Sequence, residues 1–199
     1  MKALLYVHGK GGSADEVNHY KALLPKYHVV GLDYHAMTPW ETKDEFRSFY
    51  RQLDKQYTGV TIIANSIGAY FTMDALSAEK LEQAFFISPI VDMELLITNM
   101  MLAVHITPEE LEKKQEIQTS FGETLSWKYL SYVKEHPIQW SAPTHILYGG
   151  KDTLTSLETI SSFAQRTNAS LTVMEDGEHW FHTDEQMSFL DHWLKQHLR

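Results

Sequence analysis

The chain has 199 residues, 43% hydrophobic and 22% charged, as expected of one globular domain and not of a disordered or collagen-like chain. Its 17 Lys and Arg against 26 Asp and Glu give a formal net charge of −9, so nucleic acid and anionic membrane surfaces are poor partners. Cysteine is absent, which excludes disulfides, thiolate catalysis and Cys-based zinc sites.

Residues 2–7 are a short apolar run that predicts a first strand. The start carries one lysine and is too short for a secretory h-region. No stretch approaches the 18 or so apolar residues of a membrane span, so the expectation is a cytoplasmic protein with no membrane insertion. His8-Gly9-Lys10-Gly11-Gly12-Ser13 follows. Glycines there allow positive φ, which can aim successive backbone N–H groups into one cavity and stabilise developing negative charge. Read alone, the same loop could be a turn feeding a helix or a phosphate cradle, although neither the P-loop nor the G-x-G-x-x-G spacing is met. Ser13 with Glu16 has capping-box spacing, and the helix it opens should end before Pro25.

A second strand is expected over residues 28–32. A helix follows in which Phe46, Phe49, Tyr50, Leu53 and Tyr57 share one face. The third strand, residues 60–64, runs into Ala64-Asn65-Ser66-Ile67-Gly68 and then a helix through Tyr70, Met73 and Leu76. A serine hydroxyl is a weak nucleophile that must be lifted clear of the backbone and set beside a base. A sharp strand-to-helix turn with small residues at its flanks does this, and here Ala64 takes the place of the first Gly of G-x-S-x-G. By itself Ser66 could equally be a helix cap.

The fourth strand is expected over residues 84–87. Residues 93–142 then form an insertion too long for a simple crossover. It holds an apolar run from Met93 to Ile106, a helix start at Thr107-Pro108-Glu109-Glu110, and a helix from Trp127 to Glu135. Met93, Met100, Met101, Leu102 and Trp127 could line a plastic apolar pocket or simply pack the insertion. Met100, Met101 and Trp127 are the expected substrate contacts.

A fifth strand, residues 144–148, leads to Asp152 in Gly149-Gly150-Lys151-Asp152, and Thr155 with Glu158 suggests the next helix cap. A sixth, residues 170–174, leads to His179 in Asp176-Gly177-Glu178-His179-Trp180-Phe181. Thr183 with Gln186 caps a last helix whose apolar face is Met187, Leu190, Leu194 and Leu198. All six strands should be apolar on both faces, as in a parallel sheet covered by helices. An acid that holds a histidine tautomer and a histidine that takes a serine proton are what Ser66 lacks. Asp33 and Asp92 also follow strands and are other candidates for the acid. His182 lies close to His179, but the small-residue turn Asp176-Gly177-Glu178 lifts His179 directly off its strand.

Ser66, Asp152 and His179, in that order on the loops after the third, fifth and sixth strands and behind a Gly-rich first loop, resemble the α/β-hydrolase family, in particular its small serine hydrolases. The resemblance spans nearly the whole chain as one domain, residues 1–199, which would begin at the family's third strand, with residues 93–142 in place of its cap. It implies a mostly parallel sheet of about six strands flanked by helices. It implies Ser66 as nucleophile, His179 as general base and then acid, and Asp152 as the orienting acid. Backbone N–H groups of Lys10 and Ile67 would form the oxyanion hole. The implied activity is hydrolysis of a small-molecule ester or related acyl compound, with no metal or cofactor. Thioesterase, carbon–carbon hydrolase and acyltransferase share the machinery. A non-catalytic small-molecule binding protein is the alternative from another class.

Overall fold

A computed structural model describes residues 1–198. In chain order they form β1 (Ala3–Val7), α1 (Val17–Leu23), β2 (His28–Gly31), α2 (Pro39–Gln56), β3 (Val60–Asn65), α3 (Ile67–Leu76), β4 (Gln83–Ile87) and α4 (Met93–Ala103). There follow α5 (Pro108–Lys114), β5 (Glu116–Gln118), β6 (Thr124–Ser126), α6 (Trp127–Glu135), β7 (Thr144–Gly149), α7 (Leu157–Thr167), β8 (Ser170–Met174) and α8 (Asp184–His197).

Six strands pair in parallel in the order β2-β1-β3-β4-β7-β8. The chain starts at β1, steps outward to β2, then returns to β3 on the other side of β1. That reversal opens a crevice between the carboxyl ends of β1 and β3, where ligands of open α/β sheets bind. The register sets Val7 beside Ala64, and Asn65 beside Ile87. The loop after β1 and the end of β4 therefore flank the β3–α3 turn.

One face of the sheet (Leu4, Tyr6, Ile63, Phe85 and Leu147) packs with Val17, Tyr20, Leu190, Trp193 and Leu194 from α1 and α8. Phe85 and Trp193 meet edge to face at 5.5 Å, a geometry worth about 0.5–1.5 kcal/mol beyond the area buried. On the opposite face, α2 packs along α3, with Phe46 and Phe71 in a T-shaped contact at 6.3 Å.

Several expectations shift in the structure. The central strands are buried on both faces, but the edge strands β2 and β8 are only partly buried, because each lacks a neighbour on one side. The Ser13–Glu16 capping box forms, yet it opens a single 3₁₀ turn before α1. The cap of α7 is Ser156, whose side chain accepts from the Thr159 amide, and not Thr155. Thr155 is turned inward, its amide committed to Asp152 and its carbonyl to the Tyr148 hydroxyl. Leu198 is the residue just beyond α8 and still packs, with Met187, against the core, while the buried face of the helix also carries Trp193. The Thr183–Gln186 box forms where the spacing places it.

The chain divides into two compact units, Met1–Val91 with Gln139–Arg199, and Asp92–Ile138. The second contains α4, α5, α6 and an antiparallel hairpin in which Ile117 pairs with Leu125. Its strands have three residues each, too short for alternation to stand out in the sequence. Residues 139–142 belong to the larger unit. There the Trp140 ring lies 5.6 Å from that of Phe86, and its Nε1 donates to Thr144 Oγ1 at 2.7 Å.

Candidate active site

β3 ends at Asn65 and α3 begins at Ile67, so one residue makes the whole turn. Ser66 has φ 50° and ψ −121°, a conformation that costs an L-residue about 1–3 kcal/mol. Three backbone bonds hold it there: its N–H donates to Ile87 O at 3.0 Å, and its carbonyl accepts from Ala69 and Ile90, each at 3.1 Å. The turn needs a bare α-carbon two residues on, because a Cβ on Gly68 would lie 2.3 Å from His8 O. Ala64 is buried beside Val7 without difficulty.

The loop after β1 closes as a turn, Gly12 N–H donating to Gly9 O at 3.2 Å. The His8 ring stacks on Tyr34, centroids 4.2 Å apart, and the Tyr34 hydroxyl donates to His8 O at 2.6 Å. Lys10 stands in this loop against the same cavity as Ser66. Ile67 is the first residue of α3, where backbone amides have no intrahelical acceptor.

The loops after β7 and β8 are stitched together. Gly150 N–H donates to Met174 O, and Lys151 N–H to Gly177 O, both at 2.8 Å. They approach so closely that a Cβ on Gly149 would sit 2.4 Å from Glu178 O. Lys151 Nζ and Asp176 Oδ1 add an exposed pair at 2.8 Å, which raises the lysine's pKa and lowers the aspartate's and is worth little in water.

This stitching sets His179 Nδ1 2.6 Å from Asp152 Oδ2, while His179 Nε2 lies 2.8 Å from Ser66 Oγ. The Asp152 side chain is 0% exposed and that of His179 21%. Asp152 Oδ1 accepts from the amides of Leu154 at 2.8 Å and Thr155 at 3.3 Å. A carboxylate only accepts, so Nδ1 carries a proton, and in that tautomer the lone pair is at Nε2, facing the serine O–H.

The competing residues are engaged elsewhere. His182 Nδ1 bonds to Trp180 O at 2.8 Å. The Asp33 side chain is exposed, 3.9 Å from His35, and Asp92 caps α4 through the Leu95 amide.

Ser66 and His179 line a cavity of about 630 Å³. Ile87, Phe181, Met187 and Leu190 supply apolar wall, and Glu16, His19, Tyr20 and Asn65 a polar side. The polar side is a chain of bonds: Asn65 Nδ2 donates to Tyr6 Oη at 2.9 Å, and Tyr6 donates to Glu16 Oε2. Burial first, then Tyr20 and Glu16, push the Tyr6 phenol well above its ordinary pKa, so it remains the donor. Sequence reasoning missed these walls. Ile87 and Asn65 carried a signal, each as the last residue of a strand at the carboxyl edge; the others converge from separate elements. All the lining residues belong to the larger unit. Of the substrate contacts expected from the sequence, Met100 and Met101 lie in α4 and Trp127 opens α6, in the second unit, with Met101 buried.

Among the described residues no group of three or more His, Asp or Glu could hold a metal ion, and no helix is long and apolar enough to cross a membrane.

No protein-family model and no curated protein matches the sequence. Solved structures do match. Mouse alpha/beta hydrolase domain-containing protein 10 superposes with a TM-score of 0.77 at 14% identity, over 98% of this chain and 88% of that one. Est1E from Butyrivibrio proteoclasticus gives 0.76 at 17%, over 98% and 85%. The type II thioesterase BorB of the borrelidin biosynthetic cluster gives 0.64 at 15%, over 100% and 91%. The chain has the α/β-hydrolase fold.

Proposed function

We propose that this protein is a serine hydrolase that cleaves a carboxylic ester, or a related acyl bond, of a small molecule. The observation that carries this is the unbroken line from Ser66 Oγ to His179 Nε2 and from His179 Nδ1 to Asp152, opening on a cavity of substrate size. A serine that merely capped a helix would need neither the histidine nor the acid.

In this reading Ser66 Oγ attacks the substrate carbonyl carbon as its proton passes to His179 Nε2. The resulting imidazolium is stabilised by Asp152, and the tetrahedral oxyanion by the backbone N–H groups of Lys10 and Ile67. Collapse breaks the bond to the leaving oxygen, which takes the proton from Nε2 and departs as the alcohol. Water then enters, gives a proton to His179 and attacks the acyl carbon. The acid leaves and Ser66 recovers its proton. Nucleophile, base and electrophilic donors all come from the chain, so the scheme asks for no cofactor.

A fluorophosphonate probe tests it. The native chain should be labelled at Ser66, and Ser66→Ala should not be labelled. Labelling that survives Ser66→Ala, or native protein that stays unlabelled, overturns the assignment and favours a binding protein on the same fold.

A further inference from the structure

Trp180, the residue after His179, is 71% exposed, an arrangement that forgoes the burial an indole ordinarily gains. The ring is not loose. It lies nearly face to face on His182, with centroids 4.5 Å apart and planes inclined by 17°. His182 is fixed in turn: Nδ1 bonds to Trp180 O at 2.8 Å, and its amide donates at 3.1 Å to Oε1 of Gln186. Gln186 is buried and belongs to the capping box of α8. Trp180 and His182 both line the cavity that holds Ser66. A rigid, uncovered aromatic pair at the edge of that cavity offers a π face at small ordering cost.

We propose that Trp180, backed by His182, is a stacking platform for a planar aromatic group in the alcohol half of the ester. This rests on the hydrolase reading and names its substrate class as esters of aromatic alcohols. The alcohol half is chosen because its oxygen must receive the proton from His179 Nε2, so it lies within hydrogen-bond reach of the imidazole that Trp180 follows. The acyl half is tethered to Ser66 instead. The rest of the apolar wall is aliphatic at Ile87, Met187 and Leu190, and the Phe181 and Tyr20 rings that also line the cavity are buried in the core, 6% and 4% exposed against 71% for Trp180.

The test compares benzyl acetate with cyclohexylmethyl acetate. Both yield the same acetyl-enzyme; they differ in whether the alcohol ring is flat and aromatic and slightly in leaving-group acidity, a difference that native and variant chains share. In the native chain kcat/KM should favour the benzyl ester by about 3- to 10-fold, the scale of an aromatic contact. Trp180→Ala should bring the ratio to about one, and Trp180→Phe should restore most of it. Benzyl alcohol should likewise protect Ser66 from the fluorophosphonate at lower concentration than cyclohexylmethanol, a readout that needs no turnover. A native ratio near one, a ratio that survives Trp180→Ala, or a stronger preference for a choline ester overturns the platform. Native protein that is not labelled at all overturns the hydrolase reading and the platform with it, whereas labelling with no benzyl preference removes the platform alone.

Discussion

Asp152 Oδ2 meets His179 Nδ1 at 2.6 Å across 27 positions of sequence, while its Oδ1 accepts from the Leu154 and Thr155 amides. The carboxylate cannot turn without breaking bonds to its own loop. Its orientation is set before any substrate arrives, and the histidine tautomer is set with it.

Asp152→Asn should therefore lower kcat by about 10⁴-fold, as an equivalent change does in the serine-protease template. The two loop amides would hold the asparagine oxygen and turn its NH₂ toward Nδ1. The imidazole would then carry its proton on Nε2, where it can no longer take one from Ser66. Steady-state kinetics on any ester the native chain turns over measures this, and a loss below tenfold would remove Asp152 from its role.

His179→Ala should cost far more turnover than His182→Ala, on the order of 10³-fold or more. His179 bonds to Ser66 and Asp152, whereas His182 bonds to Trp180 O. Rates of the two variants on one alkyl ester decide it, and the reverse ranking would transfer the base role to His182.

Gly149→Ala should destabilise the fold by about 1–3 kcal/mol, the usual cost of forcing atoms into closed packing. The added methyl would meet Glu178 O at 2.4 Å and Gly177 O at 2.7 Å, pushing apart the loops that carry Asp152 and His179. Urea denaturation measures the loss, and turnover should fall with it. A variant as stable and active as the native chain would contradict the close approach of these loops.

His145 should make stability sensitive to mild acid. Burial first, then the nearby His197, hold its pKa below the ordinary 6.5; the ring stacks on Phe85 at 5.0 Å and bonds to Ser170 Oγ at 2.7 Å. The unfolded chain then binds more protons than the folded one between the depressed value and 6.5. Stability is full above 6.5 and declines as the pH falls through that window. Between about pH 7.5 and about pH 5.5 the urea midpoint should drop further in the native chain than in His145→Gln. Equal drops would show that His145 makes no contribution.

Most elements were legible in the sequence because their signals are local. Apolar runs of five or so residues, the Thr107-Pro108 start and the Thr183–Gln186 box each concern groups within a few residues of one another. The Thr155 cap failed because two local arrangements compete there: Ser156, one residue on, accepts from the Thr159 amide, while Asp152 accepts from the Thr155 amide and the Tyr148 hydroxyl donates to its carbonyl.

The order of Ser66, Asp152 and His179, each behind a strand, could be read from the chain, as could the small residues beside Ser66 and His179. Their convergence could not, since it follows from the sheet order and from the amides that bind one loop to the next. The cavity walls, the Tyr6–Glu16–Asn65 chain and the uncovered face of Trp180 likewise arise only in three dimensions. Periodicity and capping act between neighbours along the backbone, but hydrogen-bond distances between remote side chains are decided by how the strands pair and the helices pack.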